Sequence, residues 1–469
     1  MNKREGLSSK IQKYRNMSKR EKWHQIYSNL WVTPIMYAGL FLLLFALTVW
    51  GDLKMEFGDM MPSILSASYK LTETILSTLT AGLLSLNAFT FYGVLTALTT
   101  FAGQFSPRIL KNFMMTKVTQ RTLGIFNGSF LYVLLCLLFL NGETVSQYTL
   151  IPVTATFLTA LCLGSFAIFI NHIVNWLQVS NMEEDMKRES IDIIDNSLLS
   201  ELDPYRVEEE GTINGQLPEY QGHQISIDDS GYLQTIDFVP LIEEACKDDL
   251  IIRLEYKVGN FVFGSTPLLT YWKKEGNTTI DEFKYNNMFH IGDGQTEIQD
   301  IEFSINKFVE IAIRALGNDD PTTATGTIYE IGDLLINISQ KAKFTPYLTD
   351  KDSNLRLILQ NLKFDDYLYI GFASTRHYAR DNVVITIELL KVLNAIAQGV
   401  SKRDYPHVWD FAVYTASGFE YEYMHHLDNG KFYNALFNIA KTTGHEEDYR
   451  NLTEKTPRKA NEVESLVMS

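Results

Sequence analysis

Four long apolar stretches crowd the chain between Trp31 and Trp176, and nothing comparable follows them. A run of about 20 such residues matches the ~30 Å hydrocarbon core of a bilayer, where every backbone N–H and C=O needs an internal partner. Each stretch therefore reads as a membrane-spanning helix. The spans cover Trp31 to Trp50, Leu71 to Gly103, Thr122 to Leu140 and Leu150 to Trp176. Tryptophans bracket the first, as interfacial aromatics do. It is not read as a cleavable signal peptide, because its apolar core is too long and no small-residue cleavage site follows. Whole-chain averages conceal this layout, since 46% hydrophobic residues would also suit a large soluble protein.

Orientation follows from the basic residues that flank the spans. The N-terminal tail carries Lys3, Arg4, Lys10, Lys13, Arg15, Lys19, Arg20 and Lys22, which the positive-inside rule places in the cytoplasm. The loop with Asp52, Glu56 and Asp59 then faces outside, Arg108, Lys111, Lys117 and Arg121 face inside, and the turn holding Glu143 faces outside. All loops agree. The expected address is the plasma membrane, multi-pass, with both termini cytoplasmic and the bilayer itself as a partner.

The second span is the unusual one. Roughly 33 residues at 1.5 Å each make a helix of about 50 Å, well beyond the hydrocarbon thickness. It carries Ser77, Thr80, Ser85, Asn87, Thr90 and Thr96. These suit either close helix packing, with Ser77, Ala81 and Ser85 as a small ridge, or the lining of an aqueous path in an oligomer. At the end of the fourth span Asn171, His172 and Asn175 share a face at i, i+3 and i, i+4 spacing. Counting inward from Ile151 places this cluster at the cytoplasmic interface. Ser106 followed by Pro107 predicts the start of an interfacial helix.

Beyond Asn181 the chain is charged and helix-compatible, with Glu183, Glu184 and Asp185 expected on a solvated face. Short β-type runs follow at Gln224–Ile227, Gly231–Ile236, Leu250–Tyr256 and Leu268–Trp272, with a helical insert at Phe238–Cys246. They resemble a barrel-sandwich hybrid, without the modified lysine that a swinging cofactor would need. Helical spacing governs Ile301–Ala315, Ile328–Ile338 and Val383–Ala397. Between the first two, Gly317 suits a left-handed C-terminal position, and Asp319 and Asp320 form a loop that either caps the next helix or binds a ligand. His425 and His426 read as a surface pair, since adjacent helical histidines point about 100° apart.

The expected fold is an α-helical membrane bundle of four transmembrane helices joined to a cytoplasmic α+β part, in which a small barrel-sandwich-like β-module precedes a helical domain. The boundaries are a basic tail at 1–30, the bundle at 31–178, a charged stalk at 179–223, the β-module at 224–275, the helical domain at 276–452 and a disordered tail at 453–469. A net charge of −15 argues against a nucleic-acid partner. Three cysteines without CxxC spacing argue against a disulfide framework or zinc. No cofactor or metal is expected. No nucleophile–base pair, Gly-rich phosphate loop or metal-spaced cluster points to an enzyme.

Several pieces in order carry a resemblance. They are Gln104-Phe105-Ser106-Pro107-Arg108-Ile109-Leu110, His172 with Gln178-Val179-Ser180-Asn181, Ser230-Gly231-Tyr232-Leu233-Gln234, Gly259 to Leu268, and Asp300-Ile301-Glu302-Phe303 through Ala315-Leu316. Together they resemble the bacterial membrane-protein family known as domain-of-unknown-function family 2254, over roughly Trp31 to Ala397. The family typically has a Ser-Pro-Gly-Ile-Asn-Asp-Pro type of connection where this chain has the shorter Gly317-Asn318-Asp319-Asp320-Pro321. The resemblance implies architecture and a membrane address without a chemistry. Two functional expectations remain. The first is a homo-oligomeric channel or transport-like protein with a cytoplasmic gating domain; the second is a membrane-anchored sensor or scaffold that binds a small ligand or partner.

Overall fold

A computed structural model of the chain describes residues 32–54, 66–104, 116–141, 147–176, 178–195, 202–207, 213, 215–217, 220–227, 229–273, 280–360 and 363–454. The basic tail, most of the segment expected as an interfacial helix and the C-terminal tail from 455 lie outside the described residues. The chain divides into two compact units, Met1–Asn181 and Met182–Ser469.

The first unit is built from α1 (Val32–Lys54), α2 (Tyr69–Gln104), α3 (Lys117–Phe139) and α4 (Leu150–Trp176). All four are long and apolar enough to cross a membrane. At 36 residues α2 is the longest, about 54 Å from end to end. The third helix starts five residues ahead of its apolar run because the Thr116 side chain caps it, accepting from the Thr119 N–H. Between α2 and α3, and α3 and α4, the interior holds Leu76, Phe126, Tyr132, Ala155, Leu158 and Cys162. Close approach of α1 to α3 depends on Gly124 and Gly128. A Cβ there would lie 2.9 Å from Tyr37 Cγ and 2.6 Å from Phe41 Cδ2, so this Gly-xxx-Gly edge is where two backbones come together. Outward faces carry Ile35, Leu40, Phe89, Phe157 and Ile168, the surface a hydrocarbon solvent accepts.

One end of this bundle is tied by polar chemistry. Strands β1 (Ala67–Ser68) and β2 (Gln147–Tyr148) pair antiparallel. The buried Asp52 at the end of α1 accepts from the backbone N–H groups of Thr149 at 3.4 Å, Leu150 at 2.9 Å and Ile151 at 2.9 Å. Its carboxylate thereby satisfies the orphan donors at the start of α4 and meets the positive end of that helix's dipole.

The second unit begins within α5 (Val179–Ile193). Two sheets follow: a five-stranded one ordered β3 (His223–Ser226), β7 (Pro267–Lys273), β5 (Leu250–Leu254), β10 (Leu355–Ile358), β9 (Tyr347–Thr349), and a three-stranded one ordered β6 (Phe261–Val262), β4 (Gly231–Ile236), β8 (Phe289–Gly292). The strands expected as one barrel-sandwich module thus fall into a mixed sheet and a separate antiparallel one. The mixed sheet also takes β9 and β10 from the region read as helical. Its centre is Leu-Ile-Ile-Arg-Leu of β5, apolar at nearly every position as a strand covered on both faces must be; it pairs parallel with β10 and antiparallel with β7.

Short helices α6 (Phe238–Lys247) and α7 (Glu282–Asn286) accompany the sheets. The helical remainder comprises α8 (Ile301–Gly317), α9 (Pro321–Lys341), α10 (Phe364–Tyr378), α11 (Val383–Gly399), α12 (Tyr405–Ser417), α13 (His426–Thr443) and α14 (Glu446–Glu454). Residues of α5 meet α9 in a polar seam: Glu183 with Thr327, Lys187 Nζ with Glu330 at 2.9 Å and Asp333 at 2.6 Å, and Asp195, just past the helix, with Lys341 Nζ at 2.7 Å. Glu183 is therefore buried, not on the solvated face expected for it.

Candidate functional site

A cavity of about 100 Å³ opens in the second unit where the ends of β4 and β5, the turn after β5, the segment entering α8 and the side of α10 converge. Its polar lining includes Arg206, Lys257, Gln299, Asp300, Glu302 and Tyr367; Leu254, Val258 and Leu359 are among its apolar walls.

Backbone chemistry places each of these groups. Arg206 follows a one-turn helix at Asp203–Tyr205 and bridges to Leu348 of β9. Its Nη1 donates to the Thr345 carbonyl, and its Nε lies 3.7 Å from Asp203 Oδ1. The Gln299 amide pairs with both backbone groups of Ile236, accepting from its N–H at 2.9 Å and donating to its C=O at 3.1 Å, as another strand would. That clamp delivers Asp300 to the N-cap of α8, where Oδ1 accepts from the Phe303 N–H at 2.9 Å. Lys257 reaches Glu302 at 2.6 Å. Gly259 holds φ at +92°, and a Cβ on it would fall 2.0 Å from Asp300 Oδ2. Only glycine suits both that conformation and that approach.

The electrostatics are unusual for groups this close to a surface. Burial pushes the Asp300 carboxyl up to about 7, with Glu302 adding to the rise and the Phe303 N–H and Lys257 opposing it. Burial depresses the Arg206 guanidinium, while Asp203 works the other way. Tyr367 is only 9% exposed. Its phenol is raised first by burial and then by Glu302, with Arg206 opposing and Asp300 adding, so all three charges act on it. Among the described residues nothing hydrogen-bonds its hydroxyl. Arg206 and Lys257 each have a carboxylate neighbour, whereas Asp300 makes no ion pair among the described residues. A pocket with an unspent hydroxyl, a carboxyl titrating near neutrality and apolar walls is equipped to hold a small polar molecule.

The residues singled out from the sequence lie elsewhere. On α2 they divide between two sides: Ser77, Ser85 and Thr96 are exposed, Asn87 and Thr90 are buried, and Thr80 is half-buried. The ridge of Ser77, Ala81 and Ser85 therefore faces outward in the single chain, and the close approach of helices within it falls at Gly124 and Gly128. Thr80, Ser85 and Thr90 donate to carbonyls four residues earlier in their own helix, which removes most of their demand for outside partners. His172 Nε2 lies 3.0 Å from the Thr116 hydroxyl, Asn171 is exposed, and the Asn175 carbonyl accepts from the Gln178 N–H. Asp320 caps α9, accepting from the Thr323 N–H at 3.0 Å, and Asp319, not Gly317, takes the left-handed conformation, with φ +55°. His425 and His426 open α13. Among the described residues no group of three or more His, Cys, Asp or Glu is arranged to hold a metal, and the three cysteines are free.

Sequence reasoning missed Arg206, Lys257, Gln299 and Tyr367. The one available signal was that two segments of the family resemblance, Gly259 onward and Asp300 to Phe303, come together here.

A family model described as a predicted membrane protein (DUF2254) matches residues 27–395. Uncharacterised proteins of Mycobacterium bovis and Mycobacterium tuberculosis are 27% identical over 307 residues, 63% of this chain. The chain spans 58% of the length of these curated relatives. No solved structure matches the chain.

Proposed function

Because the chain belongs to this predicted membrane protein family, with the match covering the four apolar helices and the cavity alike, we propose that it is a membrane-anchored receptor for a small ligand. In this reading the bundle anchors the protein in the plasma membrane, the basic flanks put both termini in the cytoplasm, and the second unit recognises the ligand from the cytoplasmic side. The role is recognition without catalysis. The observation that carries it is the cavity that brings the Tyr367 hydroxyl, which has no hydrogen-bond partner among the described residues, beside Arg206, Asp300 and Glu302.

The channel reading relied on a polar face of α2. Its polar groups sit on two different sides, and Thr80, Ser85 and Thr90 bond back to the helix, so receptor function draws the stronger support. Homo-oligomeric assembly stays part of the proposal, and light scattering of the detergent-solubilised chain is expected to return a multiple of the monomer mass.

The test is a thermal-unfolding measurement on the purified full chain with the small-molecule fraction of a bacterial lysate. A ligand at 100 times its Kd adds about 2.7 kcal/mol of stability, so the midpoint should rise by a few degrees, and Tyr367→Phe should lose most of that rise. No shift with the wild type, together with ion conductance in reconstituted vesicles that Asn87→Leu abolishes, would overturn the receptor in favour of the pore.

A further inference from the structure

Resting on the receptor reading, we infer that the cavity takes a small zwitterion of the α-amino acid class, its carboxylate meeting Arg206 and the Tyr367 hydroxyl and its ammonium meeting Asp300 and Glu302. Size limits the ligand first. At about 100 Å³ the space falls short of the ~300–1,000 Å³ typical of pockets for drug-sized ligands, which leaves room to enclose only a small molecule.

Charge limits it next. The lining holds two cations, Arg206 and Lys257, and two carboxyl groups, Asp300 and Glu302. With Asp300 ionised these balance, and a ligand with net charge would leave one charge uncompensated, which is costly. A molecule carrying one charge of each sign preserves the balance. Neither pole lacks a receiving group: the guanidinium has donors beyond those given to Thr345, the phenol has an unspent O–H, and Asp300 makes no ion pair of its own among the described residues. Leu254, Val258 and Leu359 leave an apolar wall for a short aliphatic side chain.

Protonation adds a signature that belongs to Asp300. An ammonium binds its ionised form, so affinity should climb as pH rises through about 7, where this carboxyl titrates. The groups facing it are Lys257 from the turn after β5, Glu302 on its own helix, the Phe303 N–H and the α10 phenol of Tyr367.

The experiment is calorimetric titration of the detergent-solubilised full chain with four probes. They are L-valine, its cationic amide L-valinamide, the anion isovalerate, and uncharged erythritol. Valine is expected to bind at least tenfold more tightly than the other three, and severalfold more tightly at pH 8 than at pH 6. Tyr367→Phe should weaken valine severalfold. Asp300→Asn, whose side-chain oxygen can still cap Phe303, should fold and flatten the pH profile. Binding of valinamide, isovalerate or erythritol as tightly as valine, sensitive to Tyr367→Phe, overturns the zwitterion and leaves the receptor standing. Valine binding indifferent to both variants overturns the site. Silence of all four probes overturns the ligand class; if the lysate fraction above still shifts the unfolding midpoint, the receptor survives, and if it does not, both readings fall.

Discussion

Thr327 has one hydroxyl hydrogen and two oxygens within reach of it, the Thr323 carbonyl at 2.9 Å and Glu183 Oε1. Both can accept it, and a Thr327 O–H given to Glu183 favours the ionised carboxylate. Burial, reinforced by Glu330, outweighs that bond and pushes Glu183 up to about 7. The raised value has a sign: protonated Glu183 suits the folded state, so its contribution is fully present below the ordinary carboxyl range and is lost as pH climbs from about 4.5 to 7. The full span is on the order of 3 kcal/mol. Glu183→Gln should therefore flatten part of the decline in unfolding midpoint between pH 5 and 8 and raise the midpoint at pH 8; an unchanged slope would show that the carboxylate is already ionised in the fold. Gly259→Ala combines a left-handed φ with a methyl driven into Asp300, and a loss of about 2 kcal/mol or more is expected in denaturant unfolding. None of this was legible beforehand. A run such as Glu183-Glu184-Asp185 reads as solvated because a sequence does not say which helix will cover it, and Tyr367 is one tyrosine among 24.

Elements with a strong local period were legible, and those fixed by distant partners were not. Four apolar runs gave four helices, and the short β-type run Gly231–Ile236 predicted β4 over the residues it occupies. Strands β9 and β10, three and four residues long, carry too little pattern to stand out; β10 is a strand because β5 offers it an edge, and β9 because β10 does. Helices α10, α12 and α13 fell within the region read as helical without being delimited, their apolar spacing interrupted by glycine, histidine and acidic residues that solvent or caps accommodate. Small residues illustrate the same limit. The ridge on α2 and the Gly124–Gly128 edge on α3 both satisfy the rule for close helix approach, yet only the second meets a neighbour in the chain. Gly128→Leu should force Phe41 aside and cost about 3 kcal/mol, read as loss of monodisperse protein in detergent. Ser85→Leu, on the outward face, should leave the unfolding midpoint within about 0.5 kcal/mol of wild type. Equal damage from both would mean that the outward ridge is itself packed. Asp52→Ala removes acceptors from three N–H groups at the start of α4, and a loss of about 2 kcal/mol is expected, with Asp52→Asn intermediate.

At the scale of the molecule the two units hold separate cores, one of helix side chains around Phe126 and Tyr132, the other around Ile252, Leu254 and Leu357. They also answer to different solvents. The first unit keeps its outer faces apolar and gains little from water exclusion once it is in hydrocarbon or detergent, so packing and internal hydrogen bonds hold it. The second is held by the hydrophobic effect and loses stability to urea in proportion to the surface it exposes. Two cores with different driving forces have no reason to melt together. Calorimetry of the detergent-solubilised chain should show two transitions, only one of which moves strongly with urea. Gly259→Ala is expected to lower the urea-sensitive transition alone, and Gly128→Leu the other alone. Valine or the lysate fraction, if it fills the cavity, should raise only the transition that Gly259→Ala lowers, which ties the ligand to the second unit without any assumption about its chemistry. A single transition shifted by both variants would mean that the units unfold as one body, and the separation of anchor from receptor would have to be abandoned.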